Sequence, residues 1–236
     1  MKTGLVLEGG AMRGIYTAGV LDVFLEQGIH FDGVNGVSAG ALHGCSFVSG
    51  QKGRSLRYIK KYRNDKHFMS WWSFLHTGEV VGRQFCYHDI PERLDPFDYE
   101  AFIESDTAFY ATCTNVETGK AEYIKITDMM TQIDAMRASA SMPYVSKIVN
   151  YKGMKLLDGG CADSIPVEAF KRMGYDRIVV VLTRETGFVK NRKIQKWQKY
   201  AITNIRNLCI HCRTDITFII TVWMLLRNLN GRVRYS

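Results

Sequence analysis

The sequence predicts a single three-layer α/β/α domain built on a mainly parallel central sheet. Two observations carry this reading. Strand, glycine-rich turn and helix follow one another twice within the first 50 residues, which is the opening of a parallel sheet with right-handed crossovers. A second helix-to-strand unit recurs late, at residues 166–183, with no internal repeat and no Pro/Gly/Ser linker between. The chain has 236 residues, 46% hydrophobic and 23% charged, enough for a sizeable core.

Residues 3–8 (TGLVLE) read as a buried strand that runs into Gly9-Gly10-Ala11-Met12-Arg13-Gly14. From residue 15 to 27, Val20, Leu21, Phe24 and Leu25 recur at helical spacing, and Gly28 supplies the stop. Residues 31–37 form the second predicted strand, which ends in Gly36-Val37-Ser38-Ala39-Gly40 before a small-residue helix over 41–48. Residues 54–63 are read as a basic, solvated helix face, with contact to phospholipid headgroups as the alternative, and Trp71, Trp72 and Phe74 of the aromatic run 68–75 (FMSWWSFL) as ordinary core packing, with an acyl groove or lid as their sharper use. Residues 107–114 and 121–126 read as a β-hairpin around Glu117-Thr118-Gly119-Lys120. A helix is expected over 128–140, closed by Met142-Pro143. A second hairpin, 147–151 and 154–157 around Lys152-Gly153, leads to Asp158-Gly159-Gly160. A helix over 166–173 with Pro in its first turn, then a buried strand over 177–183, complete the predicted sheet.

Charge is unevenly placed. Residues 1–188 carry 21 Lys+Arg against 22 Asp+Glu, and residues 189–236 carry 10 against 1, so the formal net charge of +8 belongs to the tail. A neutral body has no field to steer a polyanion, so a nucleic-acid partner is not expected. No apolar run reaches the roughly 18 residues of a membrane span, and residues 216–226, the nearest, are interrupted by Thr217 and Thr221. The first residues enter a strand at once instead of forming a secretory signal, and six scattered cysteines suit reduced thiols, so cytoplasmic residence without disulfides is expected.

The chemistry concentrates in three segments. Gly36-x-Ser38-x-Gly40 lies between a strand and a helix, the context a nucleophile elbow requires, although the pentapeptide alone suits a structural turn equally well. The loop at 9–14 also closes a strand and opens a helix, so its amides can form an anion-binding nest. Its spacing matches neither the Walker nor the dinucleotide motif, which favours an oxyanion hole over a phosphate cradle. None of the six histidines, His43 included, sits where a base is expected. Asp158, at the end of an apolar strand and before two glycines, is the better candidate, with turn capping as its blander role.

Together, GGAMRG at 9–14, GVSAG at 36–40 and DGG at 158–160, with ASASMP at 138–143 and DGGCADSIPVEAFKRMG at 158–174, resemble the patatin-like phospholipase family, its bacterial branch in particular, over residues 3–188. The resemblance implies the patatin-like fold and a Ser–Asp dyad without histidine. Ser38 would attack an acyl carbonyl, Asp158 would take and return the proton, and the amides around Gly10, Ala11 and Met12 would hold the oxyanion, with Arg13 fixing that loop or its electrostatics. It implies lipid-ester hydrolysis of phospholipase A or lysophospholipase type, no metal and no organic cofactor. A lipid acyltransferase using the same dyad and a non-catalytic lipid-binding protein are the competing classes. The domain is expected to span 1–188. The tail, 189–236, does not resemble the mixed-sign helical continuation usual in that branch and is read as truncated or frame-shifted, or else as a basic segment resting on anionic lipid, peripheral to the membrane. Cys209, His211 and Cys212 lack a second ligand pair, so no zinc site is expected.

Overall fold

The computed structural model describes residues 1–185. The expectations for the tail, including Cys209, His211 and Cys212, lie outside the described residues. Seven strands form one sheet: β1 (Thr3–Leu7), β2 (Gly33–Val37), β3 (Ala108–Asn115), β4 (Ala121–Ile126), β5 (Val149–Tyr151), β6 (Met154–Asp158) and β7 (Arg177–Val181). The order β5-β6-β3-β2-β1-β7 places β1 and β2 centrally, and β4 pairs with β3 off this path. β7, β1, β2 and β3 run parallel, β4 and β6 lie antiparallel to β3, and β5 is antiparallel to β6. By direction, therefore, only β4 and β6 oppose the rest.

The helices are α1 (Gly14–Glu26), α2 (Ala39–Val48), α3 (Arg54–Tyr62), α4 (Trp71–Thr77), α5 (Tyr99–Glu104), α6 (Ile133–Ser139) and α7 (Val167–Arg172), with a π-helical segment at Phe85–Leu94. β1 and β2 are almost wholly buried, as central parallel strands covered on both faces must be. Pleating sends Leu5 and Leu7 into the main core with Val20, Leu21 and Phe24 of α1 and Ala41, Cys45 and Phe47 of α2. Val6 and Val180 meet Phe170 of α7 and Tyr175 on the opposite face, where those two rings stack at 4.3 Å. These two faces are the outer layers of the expected sandwich. Gly28, at φ 62°, closes α1 and lets the Ile29 amide donate to the Phe24 carbonyl at 2.9 Å.

Three local expectations change. The helix predicted over 128–140 is confined to Ile133–Ser139. Asp128 accepts from the Met130 amide and the Thr131 hydroxyl, while Gln132 Oε1 accepts from the Thr127 and Asp128 amides, so side chains replace the first helical turn. The first residue of the supposedly solvated basic helix, Arg54, is buried. Its guanidinium donates to the Asp95 carbonyl at 2.8 Å and the Ser46 hydroxyl at 3.3 Å and lies over the Tyr58 and Phe97 rings, while Arg57 makes a two-pronged pair with the Asp95 carboxylate at 2.7 and 2.8 Å. The aromatic run is not all core either: Phe68 is buried, but Trp71 is 72% and Leu75 80% exposed.

Candidate active site

Sheet register explains how Ser38 and Asp158 meet. β2 pairs with β3 from Gly33↔Ala108 to Val37↔Thr112, then leaves the sheet at Ser38. β4 occupies the other edge of β3 through Thr114, so β6, which pairs with Cys113 through Asn115, must lie on the edge that β2 vacates. Its last residue, Asp158, pairs with Cys113, one position beyond the partner of Val37. A parallel strand that ends and an antiparallel strand that arrives thus abut at the site.

Ser38 sits at φ 54°, ψ −123°, a left-hand-side backbone conformation that costs a non-glycine residue about 1–3 kcal/mol. The turn is held from three directions. The Ser38 amide donates to Ser139 Oγ at 3.0 Å, and Ser139 Oγ donates to the Thr112 carbonyl at 2.7 Å, tying α6 to both strands. The Ser38 carbonyl accepts from the Ala41 and Leu42 amides at the start of α2. The flanking glycines are required by close approach: a Cβ on Gly40 would run into the Leu7 carbonyl, and one on Gly36 would lie 2.5 Å from the Ala41 nitrogen. The hydroxyl of Ser38 therefore stands at the N-terminus of a ten-residue helix, where a developing negative charge is favoured.

Asp158 is 6% exposed. Its backbone is anchored by the Asp158 amide to the Ser141 carbonyl and by the Thr114 hydroxyl to the Asp158 carbonyl, both at 2.8 Å. Its carboxylate accepts from the Gly160 amide at 2.8 Å, and the Ser38 side chain lies close enough to favour its ionised form. Burial pushes the carboxyl up to about 6, outweighing both of these. Gly159 lies against the Thr112 carbonyl and opens a short turn, Gly159–Cys161, that Asp158 caps through Gly160. The capping role and the contact with Ser38 thus belong to the same carboxylate.

The loop at 9–14 lies beside this pair. Gly9 packs against Ser38, its Cβ position 3.1 Å from Ser38 Cβ. The loop is pinned to the end of β7, where the Thr183 amide and hydroxyl reach the Glu8 carboxylate at 2.5 and 2.9 Å and the hydroxyl lies 3.1 Å from the Gly9 carbonyl. Two of its amides are spent: Arg13 donates to the Gly10 carbonyl at 3.0 Å, and Gly14 to the Ala11 and Met12 carbonyls. That narrows the amides able to receive an anion to those before Arg13. The Arg13 side chain is exposed, and among the described residues it forms no hydrogen bond or ion pair, so Glu8 and Thr183 hold the loop.

Ser38, Ala11 and Met12 open onto a cavity of about 1050 Å³, counting its mouth, walled by apolar side chains such as Leu42, Ile59, Phe68, Ile90 and Phe97. His43 also lines it, buried, with Nδ1 lacking a partner among the described residues, and burial drives its imidazole down to about 4. It is neutral near pH 7, and no third group among the described residues orients it through Nδ1 as a catalytic base requires. Ser139 and Arg54 were not identified from sequence. Ser139 lies within ASASMP, whose regular spacing ahead of Pro143 was the available signal; Arg54 gave none.

A family profile described as patatin-like phospholipase matches residues 5–171. The chain belongs to this family. It is 30% identical over 187 residues to a protein described as uncharacterized protein YjjU from Escherichia coli K12, covering 77% of this chain and 52% of that one. It is 29% identical over 201 residues to lysophospholipase NTE1 of Debaryomyces hansenii, covering 81% of this chain and 12% of the relative. The chain thus spans about half of the bacterial relative and a small part of the fungal one. Among solved structures, VipD from Legionella pneumophila aligns with a TM-score of 0.46 and 17% identity, over 84% of this chain and 53% of VipD. No helix among the described residues is long and apolar enough to cross a membrane, and none of their His, Cys, Asp and Glu side chains cluster as a metal site would require.

Proposed function

We propose that this patatin-like chain is a serine acyl hydrolase that cleaves lipid acyl esters, of the phospholipase A or lysophospholipase type, through a Ser38–Asp158 dyad. The observation that carries the reading is a buried carboxylate, raised to about 6, that sheet register brings to Ser38 beside an apolar cavity that Ser38 lines. Ser38 Oγ attacks the acyl carbonyl carbon as its proton passes to Asp158. The carbonyl π pair moves onto oxygen, which the amides of Gly10, Ala11 and Met12 and the positive end of α2 stabilise. The C–O bond to the alcohol breaks, and Asp158 protonates the leaving oxygen. Water then attacks acyl-Ser38, giving its proton to Asp158, and the free acid departs as Ser38 regains a proton.

A carboxyl near 6 suits this task, being ionised at neutral pH yet basic enough to accept a proton in a dry site. The cavity's apolar walls, Leu42, Ile59, Phe68, Ile90 and Phe97 among them, suit an acyl chain. In this reading the chain resides in the cytoplasm and works at a membrane surface. Cys45, Cys86 and Cys113 are free thiols among the described residues, which suits a reducing compartment. The fungal relative's name as a lysophospholipase supports the substrate class. The test is turnover of a water-soluble short-chain ester and of a lysophospholipid by wild type, Ser38→Ala and Asp158→Asn. Release of free acid by the wild type, abolished in both folded variants, supports the reading. Transfer of the acyl group to an added alcohol in preference to water would make the chain an acyltransferase, and a folded, inactive wild type would contradict both.

A further inference from the structure

The α4 element is unlike the rest of the fold. Residues 68–82 leave and re-enter the domain through an antiparallel Met69↔Val81 pair, and both residues, with Phe68, line the apolar cavity. α4 is the outer end of this excursion. It is well formed locally: Ser70 caps it by accepting from the Ser73 amide at 3.0 Å, Gly78 ends it at φ 76°, and the Ser73 hydroxyl donates to the Glu79 carbonyl at 2.8 Å. Only Ser73 is buried within it. Trp71 and Leu75, four residues apart on one face, point to solvent at 72% and 80% exposure.

The surroundings are aromatic and cationic. A continuous file of rings joins Tyr62 to Phe85 at 5.4 Å, Phe85 to His67 at 5.9 Å, His67 to Trp72 at 5.0 Å and Trp72 to His76 at 4.1 Å. Lys61 sits over the Tyr62 ring and Lys66 over the Trp72 ring. Of the two acidic groups of this stretch, Asp65 pairs with His67 and buried Glu79 faces Arg137 at 3.6 Å.

We propose that α4 is the docking element for an anionic lipid bilayer, with Trp71 and Leu75 entering the headgroup–acyl boundary and Lys61 and Lys66 meeting lipid phosphates. This deepens the hydrolase reading and rests on it for its purpose. Indole and leucine side chains suit the interfacial zone, and exposed lysines beside them add attraction to an anionic surface. The bilayer is favoured over a protein partner by continuity, because the residues at the base of α4 wall the cavity that would receive an extracted acyl chain. Docking there brings the lipid to the chamber that Ser38 faces.

The experiment uses the full chain carrying Ser38→Ala, so that vesicles survive and binding is read apart from turnover. Phosphatidylcholine vesicles with and without phosphatidylglycerol are titrated against this protein and against a form also carrying Trp71→Ala and Leu75→Ala. The double change should weaken partitioning onto anionic vesicles by about tenfold or more. Lys61→Gln with Lys66→Gln should weaken it by about fivefold for each lysine, with little effect on neutral vesicles. With Trp72, Trp197 and Trp223 replaced by Phe, Trp71 emission should shift to the blue and be quenched by brominated lipid. Unchanged partitioning in the double variant, with Trp71 unquenched, would assign any binding to the basic tail and overturn the proposal, as would no partitioning of either protein. In the Ser38-intact background, Trp71→Ala with Leu75→Ala should leave turnover of a soluble short-chain ester unchanged and lower turnover of vesicle lipid. If the soluble ester is not turned over at all, the hydrolase reading fails while the vesicle measurements still judge the docking surface.

Discussion

Asp158→Asn should inactivate the enzyme and stabilise the fold at the same time. The carboxyl lies near 6 in the folded chain against an ordinary 3.8, because burial disfavours its charge more than the Ser38 side chain and the Gly160 amide favour it. A folded-state value above the unfolded one means that the folded chain holds the extra proton between those two pH values. Stability from Asp158 is thus fully present below about pH 3.8 and is lost as pH rises through 6. A shift of about two units corresponds to about 3 kcal/mol above pH 6, falling to about 1 kcal/mol at pH 4.5. Asparagine stands in for the neutral carboxyl, its Oδ1 still able to accept from the Gly160 amide, so it avoids this cost. Thermal melts of the two proteins at pH 8 should differ by about 6–12 °C in favour of Asp158→Asn, with a gap about a third as large at pH 4.5. In the wild type, kcat/KM for a soluble ester should fall tenfold per unit below pH 6, reaching about a tenth of its plateau at pH 5. An asparagine variant that melts below wild type at pH 8, or a gap that does not change with pH, would refute the reasoning.

Other substitutions test the frame around the dyad. Ser139→Ala leaves the buried Ser38 amide and Thr112 carbonyl without partners and should cost about 2 kcal/mol or more, read from the urea midpoint, while kcat falls more than KM rises. Gly40→Ala drives a methyl into the Leu7 carbonyl and should cost about 3 kcal/mol in the same measurement. His43→Gln should keep kcat/KM within about tenfold of wild type, with the acid limb still near pH 6, whereas a loss of about 10⁴ would make His43 the base.

Much of the site could be read from local sequence, because its parts are turns whose glycines have steric reasons. The elbow at 36–40, the loop at 9–14 and the hairpin that ends at Asp158 all lie at strand ends, as their spacing suggested. Where the sequence was silent, the determining contact was distant along the chain. Ser139 reaches Ser38 across 101 residues, and Arg54 is buried because Asp95, 41 residues on, and two aromatic rings receive it. The aromatic run 68–75 defeated pattern reading for a related reason. Apolar content marks Phe68 and Trp71 alike, while contacts distant in sequence, the Met69↔Val81 pair and the Gly82 amide on the Phe68 carbonyl, hold Phe68 at the cavity and leave Trp71 in solvent. The helix expected from residue 128 was shortened by local competition, with the Asp128 and Gln132 side chains taking backbone donors that a helix would have used.

Covalent labelling addresses the central claim most directly. A fluorophosphonate that mimics the tetrahedral acyl intermediate, incubated with the folded chain and followed by peptide mass spectrometry, should give one adduct, on Ser38. That adduct should vanish in Ser38→Ala and form far more slowly in Asp158→Asn. An adduct on another residue, or none on a folded wild-type chain, would contradict the assignment of Ser38 as the nucleophile.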